Sequence, residues 1–129
     1  MPHIVLEYSA NIPPLADFAK CFVGLHKILN DMGGIKLANC KSRARVADIY
    51  FVGDGADQNA FIHLNIEFVE GRSKKQKQQI GNACLEHLTQ SYKDQLSDNL
   101  QITVQVEDIV LDYYSKYPAG TLNYQSSDA

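Results

Sequence analysis

The chain opens on a mostly apolar run, His3-Ile4-Val5-Leu6-Glu7-Tyr8, of the kind a central strand carries. After Pro13-Pro14, the residues Leu15, Phe18, Phe22, Leu25, Leu29 and Met32 recur at three- and four-residue spacing. That is one apolar stripe of an amphipathic helix, and Gly33-Gly34 end it. Val46 to Val52, mostly apolar but interrupted by Asp48, predicts a second strand, with Lys41-Ser42-Arg43 leading into it. Gly53 to Asn59 is turn chemistry throughout. Beyond it, Ile62, Leu64, Ile66 and Phe68 alternate with His63, Asn65 and Glu67, a strict period of two that predicts a third strand. From Ser73 onward Ile80, Ala83, Cys84, His87, Leu88 and Tyr92 share one helical face, and Ser73 with Gln76 has the form of a capping box. Leu100, Ile102, Val104 and Val106, alternating with Gln101, Thr103 and Gln105, predict a fourth strand.

Strand–helix–strand is therefore followed, after a turn, by strand–helix–strand. The pattern is an internal duplication of a βαβ unit, with parallel strands and a right-handed crossover in each copy. The fold class expected is α+β: units at 2–52 and 60–110 share a four-stranded mixed sheet, two helices cover one face, and a tail spans 111–129. A pseudo-twofold axis between the units places the first and third strands antiparallel at the centre. The uncovered face then carries His63, Asn65, Glu67, Gln101, Thr103 and Gln105, suited to solvent or to the wet interior of an oligomer. The tail, with Tyr113, Tyr114, Tyr117 and Tyr124, is too aromatic for a solvated extension and is expected to pack on this domain or a neighbour.

Length and composition narrow the function classes. A chain of 129 residues is one domain's length, able to bury roughly two-thirds of its unfolded surface. Its formal charge of −3 argues against a general nucleic-acid binder. No apolar run approaches the ~20 residues of a membrane span, and Glu7 arrives too early for a signal peptide. Cys21, Cys40 and Cys84 are odd in number and far apart, which excludes a disulfide framework and points to the cytoplasm. Cys21 and Cys84 fall on helical core positions, whereas Cys40 lies in a polar loop. The four histidines are scattered without metal-ligand spacing, so no metal site is expected.

Candidate chemistry comes from the assumed topology. It brings the start of the first strand (Pro2), the end of the third (Gly71-Arg72) and Lys41-Ser42-Arg43 to one end of the sheet. A helix N-terminus with an adjacent arginine suits a carboxylate. Methionine ahead of proline is commonly removed, which would leave Pro2 a secondary amine. An α-amino group titrates near ~8, and neighbouring cations lower it toward the range useful for proton abstraction beside a carbonyl.

The segment Glu70-Gly71-Arg72-Ser73-Lys74-Lys75-Gln76-Lys77 resembles the strand-to-helix motif of the 4-oxalocrotonate tautomerase superfamily, whose mature chains begin with proline. Pro2 to Ser9, Asn11-Ile12, Lys41-Ser42-Arg43 and Ala60-Phe61-Ile62-His63 extend the likeness to its 5-carboxymethyl-2-hydroxymuconate isomerase branch, over residues 2 to about 110. The resemblance implies a homotrimer without cofactor. It implies isomerisation of unsaturated 2-hydroxy or 2-oxo carboxylic acids in aromatic catabolism, with Pro2 as base and Arg72 on a substrate carboxylate. Lys41 stands where that branch carries arginine, so the planar two-donor fork is lost there and carboxylate recognition passes partly to Arg43.

Two other classes compete. A trimeric binding protein that kept the fold and lost the chemistry is one, because fold does not fix function. Nucleic-acid binding through Arg72, Lys74, Lys75 and Lys77 is the other, although these fit a solvated first helical turn better. The expected partners are thus a small carboxylate and two further copies of the chain, with neither nucleic acid nor membrane.

Overall fold

The computed structural model describes residues 2–120. β1 (His3–Ser9) leads through α1 (Phe18–Gly33) to β2 (Lys41–Ala47); β3 (Ala60–Val69) leads through α2 (Lys74–Ser91) to β4 (Leu100–Ile109). A short 3₁₀ turn, Leu111–Tyr113, follows the last strand. The strands lie in the order β2-β1-β3-β4. β1 runs parallel to β2 and antiparallel to β3, and β3 runs parallel to β4. The duplicated βαβ arrangement about a central antiparallel pair is as the pattern predicted. Among the described residues, no helix is long and apolar enough to cross a membrane.

β2 corrects the sequence reading. It occupies Lys41–Ala47 rather than Val46–Val52, so the basic residues lie within the strand instead of ahead of it. Register with β1 fixes this, pairing His3 with Lys41, Val5 with Arg43 and Glu7 with Arg45. The apolar residues that suggested a strand here lie beyond it and are exposed: Ile49 is 97% and Phe51 78% exposed.

The core lies between the helices and one face of the sheet. Cys21, Leu25, Leu29 and Gly33 form the buried stripe of α1, and Ile80, Cys84 and Leu88 that of α2. They meet Ile4 and Leu6 of β1 and Ile62, Leu64, Ile66 and Phe68 of β3, none more than 1% exposed. Each such side chain contributes roughly 1.5–3 kcal/mol by leaving water, so this face dominates stability. Leu15 packs against the same core from ahead of α1, which begins only at Phe18. At Gly24 of α1 an added Cβ would run into the imidazole ring of His87 on α2. The space left by that glycine lets His87 reach the Cys21 carbonyl with Nε2 at 2.9 Å.

The C-terminus of α1 and the N-terminus of α2 are joined by polar contacts. Gly34 ends α1 with φ of 64°, a left-handed conformation that glycine adopts at little cost. Helix ends leave carbonyls without partners inside the helix, and α2's first turn supplies donors. Gln76 Nε2 donates to the Met32 carbonyl at 3.1 Å, while the Gln76 amide donates to Ser73 Oγ at 3.1 Å. The Gly33 carbonyl accepts from Arg72, through Nε at 2.9 Å and Nη2 at 2.8 Å.

Candidate active site

Pro2 stands one residue before β1 with its ring fully buried. Its carbonyl accepts from the Lys41 amide at 3.2 Å, which locks the first residue of β2 alongside it. The register that begins there lines up three rows on the uncovered face of the sheet. Nearest Pro2 stand Lys41, His3, Glu67 and Glu107; then Arg43, Val5, Asn65 and Gln105; then Arg45, Glu7, His63 and Thr103. Every row begins with a cation on β2. Acidic or neutral side chains follow across the rest of the sheet, so the positive field is concentrated along one edge, beside Pro2.

Lys41 and Arg43 are both exposed. Lys41 Nζ donates to the Asn39 carbonyl at 2.9 Å. Arg43 Nη1 donates to His3 Nδ1 at 3.2 Å. The other nitrogen of that ring, Nε2, lies 2.9 Å from the Tyr114 hydroxyl. A guanidinium can only donate, so Nδ1 must carry the lone pair and Nε2 the proton. Burial holds the His3 pKa below its usual value, and the positive charges of Arg43 and Lys41 lower it further, against an opposing effect of Glu67. His3 is therefore a neutral imidazole at physiological pH, with its tautomer fixed by Arg43.

Arg72 reaches the same end of the sheet on the other side, the side the helices cover. It is 8% exposed, and its guanidinium lies 4.8 Å from the centroid of the Phe68 ring. Besides its two bonds to the Gly33 carbonyl, it donates from Nη1 to the Val69 carbonyl at 2.9 Å. Gly71, with φ of 123°, makes the turn that carries the chain from β3 back to Arg72. A cation at the C-terminal end of α1 also complements the helix dipole. The structure thus places Pro2, Lys41 and Arg43 along the β1–β2 edge and gives Arg72 a fold-holding position beneath.

Two residues of this neighbourhood were not singled out as site residues from the sequence, His3 and Tyr114. The signal for His3 was its place directly after Pro2 on a strand, where alternation turns it to the uncovered face. Tyr114 belongs to the aromatic tail, and it does pack on this domain, edge-on to His3 at a centroid distance of 6.2 Å. Tyr113 and Tyr117 remain 89% and 97% exposed. Tyr124 lies outside the described residues.

Comparisons with known proteins fit this geometry. The family model described as "5-carboxymethyl-2-hydroxymuconate isomerase" matches residues 2–118. A 5-carboxymethyl-2-hydroxymuconate Delta-isomerase of Escherichia coli is 33% identical over 86 residues, 67% of this chain and 68% of that protein. Among solved structures, a 5-carboxymethyl-2-hydroxymuconate isomerase from Deinococcus radiodurans R1 has a TM-score of 0.75 at 23% identity, covering 97% of this chain and 90% of that one. The solved "Q0 fused 4-OT wild type symmetric trimer" has a TM-score of 0.61 at 16% identity, covering 84% of this chain and 85% of that one. The structural likenesses establish the tautomerase fold; the family match and the sequence relative go further. The chain belongs to the 5-carboxymethyl-2-hydroxymuconate isomerase family and is an isomerase of the tautomerase superfamily.

Proposed function

We propose that the protein isomerises an unsaturated 2-hydroxy or 2-oxo acid carrying more than one carboxylate, 5-carboxymethyl-2-hydroxymuconate or a close analogue, using the Pro2 nitrogen as base. The observation that carries this reading is the register locking Lys41 beside Pro2, with Arg43 two residues further along the same edge. With Met1 removed, the secondary amine takes a proton from the dienol hydroxyl or an adjacent carbon. It returns that proton to a carbon further along the conjugated system, so no external acid, oxidant or cofactor is consumed. Lys41 and Arg43 hold the carboxylates and stabilise the dienolate as charge develops. Arg72 contributes positive field from beneath while its N–H groups hold the Gly33 and Val69 carbonyls.

The reading includes a homotrimer. β2 is a sheet edge that bears exposed Val46, with Ile49 and Phe51 exposed just beyond it. An apolar edge of this kind invites pairing with another chain. Three free thiols suit the reducing cytoplasm.

The test is ultraviolet absorbance of the 2-hydroxymuconate substrate with Met1-free and Met1-retained protein in one assay. A retained Met1 makes the Pro2 nitrogen a tertiary amide without a basic lone pair. Activity is expected only in the processed form, with the fold intact in both. Equal activity would remove Pro2 from the mechanism.

A further inference from the structure

His3 lies on the face of β1 opposite the buried side chains of Ile4 and Leu6, and no core packing calls for an imidazole there. Its polar partners come from two distant parts of the chain. Arg43 donates to Nδ1 from β2, and Tyr114, just past the 3₁₀ turn, meets Nε2. The phenol fixes one side of the ring and the guanidinium reads the other. Arg43 is exposed on an edge strand, where a long side chain would otherwise sample many rotamers. We infer that His3 is a positioning residue: held by Tyr114, its Nδ1 lone pair orients the Arg43 guanidinium toward the substrate carboxylate.

This deepens the reading of Arg43 given above and rests on it. A guanidinium binds a carboxylate through a planar pair of N–H groups, so its orientation matters as much as its charge. One Nη1–H directed at His3 sets the plane of the fork and leaves its outer edge for the ligand. Lys41, a point charge, needs no such support. The arrangement requires a neutral ring. Arg43 and Lys41 on β2 oppose its protonation, while Glu67 on β3 favours it. Below the lowered pKa, His3 loses its acceptor lone pair and becomes a cation facing Arg43. Substrate binding should therefore weaken only at a pH below the ordinary histidine range, where the lowered His3 pKa is crossed.

The experiment measures kcat and KM on the dicarboxylated substrate from pH 5 to 8, for wild type, His3→Asn, His3→Gln, His3→Phe and Arg43→Ala, with thermal melts as the check on folding. An asparagine oxygen stands near the position of Nδ1, whereas the glutamine amide reaches toward Nε2. Loss of a hydrogen bond to a charged group predicts a KM about tenfold higher for His3→Gln and His3→Phe, with kcat little changed. His3→Asn should recover most of the wild-type KM and lose its rise at acid pH, because asparagine does not titrate. A limb from the Pro2 amine would instead appear in kcat and survive in all His3 variants. Wild-type KM in folded His3→Phe, alongside a raised KM in Arg43→Ala, would overturn the role of His3 and leave that of Arg43 standing. His3→Asn as impaired as His3→Phe would overturn it equally. A wild-type KM in Arg43→Ala would remove the reading of Arg43 itself, and this inference with it.

Discussion

Two arginines occupy the same end of the sheet on opposite sides, and their surroundings set them to different tasks. Arg72, on the helix side, is 8% exposed and donates three hydrogen bonds to the carbonyls of Gly33 and Val69. Arg43, on the open side, is exposed and donates one bond to a side chain, His3. A buried guanidinium committed to backbone carbonyls joins elements together, here the end of α1 to the end of β3. An exposed one steadied by a single neutral partner keeps donors for a ligand. The two sides of the sheet therefore separate a guanidinium that ties elements together from one that stays exposed, the recognition role proposed for Arg43 falling to the second.

Arg72→Ala tests that division most severely. It leaves the Gly33 and Val69 carbonyls without these donors and should cost about 3 kcal/mol, a fall in Tm of roughly 10 °C. Thermal melts check this, and an unchanged Tm would show that the contacts with Gly33 and Val69 hold nothing together. A second perturbation of the helix side, Gly24→Ala, forces a methyl into the His87 ring and should cost about 2 kcal/mol by overpacking. Denaturant unfolding measures that loss, while KM stays near wild type because this contact between the helices does not touch the open face. Arg43→Ala is the converse and the smallest of the three in stability, within about 0.5 kcal/mol of wild type. Its KM should nevertheless rise about tenfold, from the loss of a charge-assisted contact with the substrate. A matched fall in Tm and affinity for Arg43→Ala would erase the distinction between the two sides.

Much of this was legible from the side chains alone. Strict alternation in β3 and β4 and the apolar stripes of α1 and α2 fixed element types, because each repeats with its backbone period against a common core. β2 was displaced for a physical reason. The run from Val46 to Val52 reads as a strand only on the assumption that its apolar residues pack within one chain, and Ile49 and Phe51 do not. The better signal was the spacing of Lys41, Arg43 and Arg45, three cations on one strand face. Of the site, topology was enough to bring Pro2, Lys41, Arg43 and Arg72 to one end. It does not say which side of the sheet each side chain takes, and that separates Arg72 from the others. Tyr114 was beyond pattern reading, since its partner His3 lies 111 positions away.

That separation has a kinetic consequence. Contacts between distant residues wait on the closure of long loops, so they form late in folding. β1 emerges first from the ribosome, yet the ring of its first residue finds its phenol partner only after β4 and the 3₁₀ turn have been synthesised and docked. A nascent or truncated chain ending near residue 110 would hold a complete sheet and both helices, with His3 still unanchored. Such a chain can assemble its fold before the His3–Tyr114 contact forms; on the role proposed for His3, substrate affinity would then be the last property that synthesis confers.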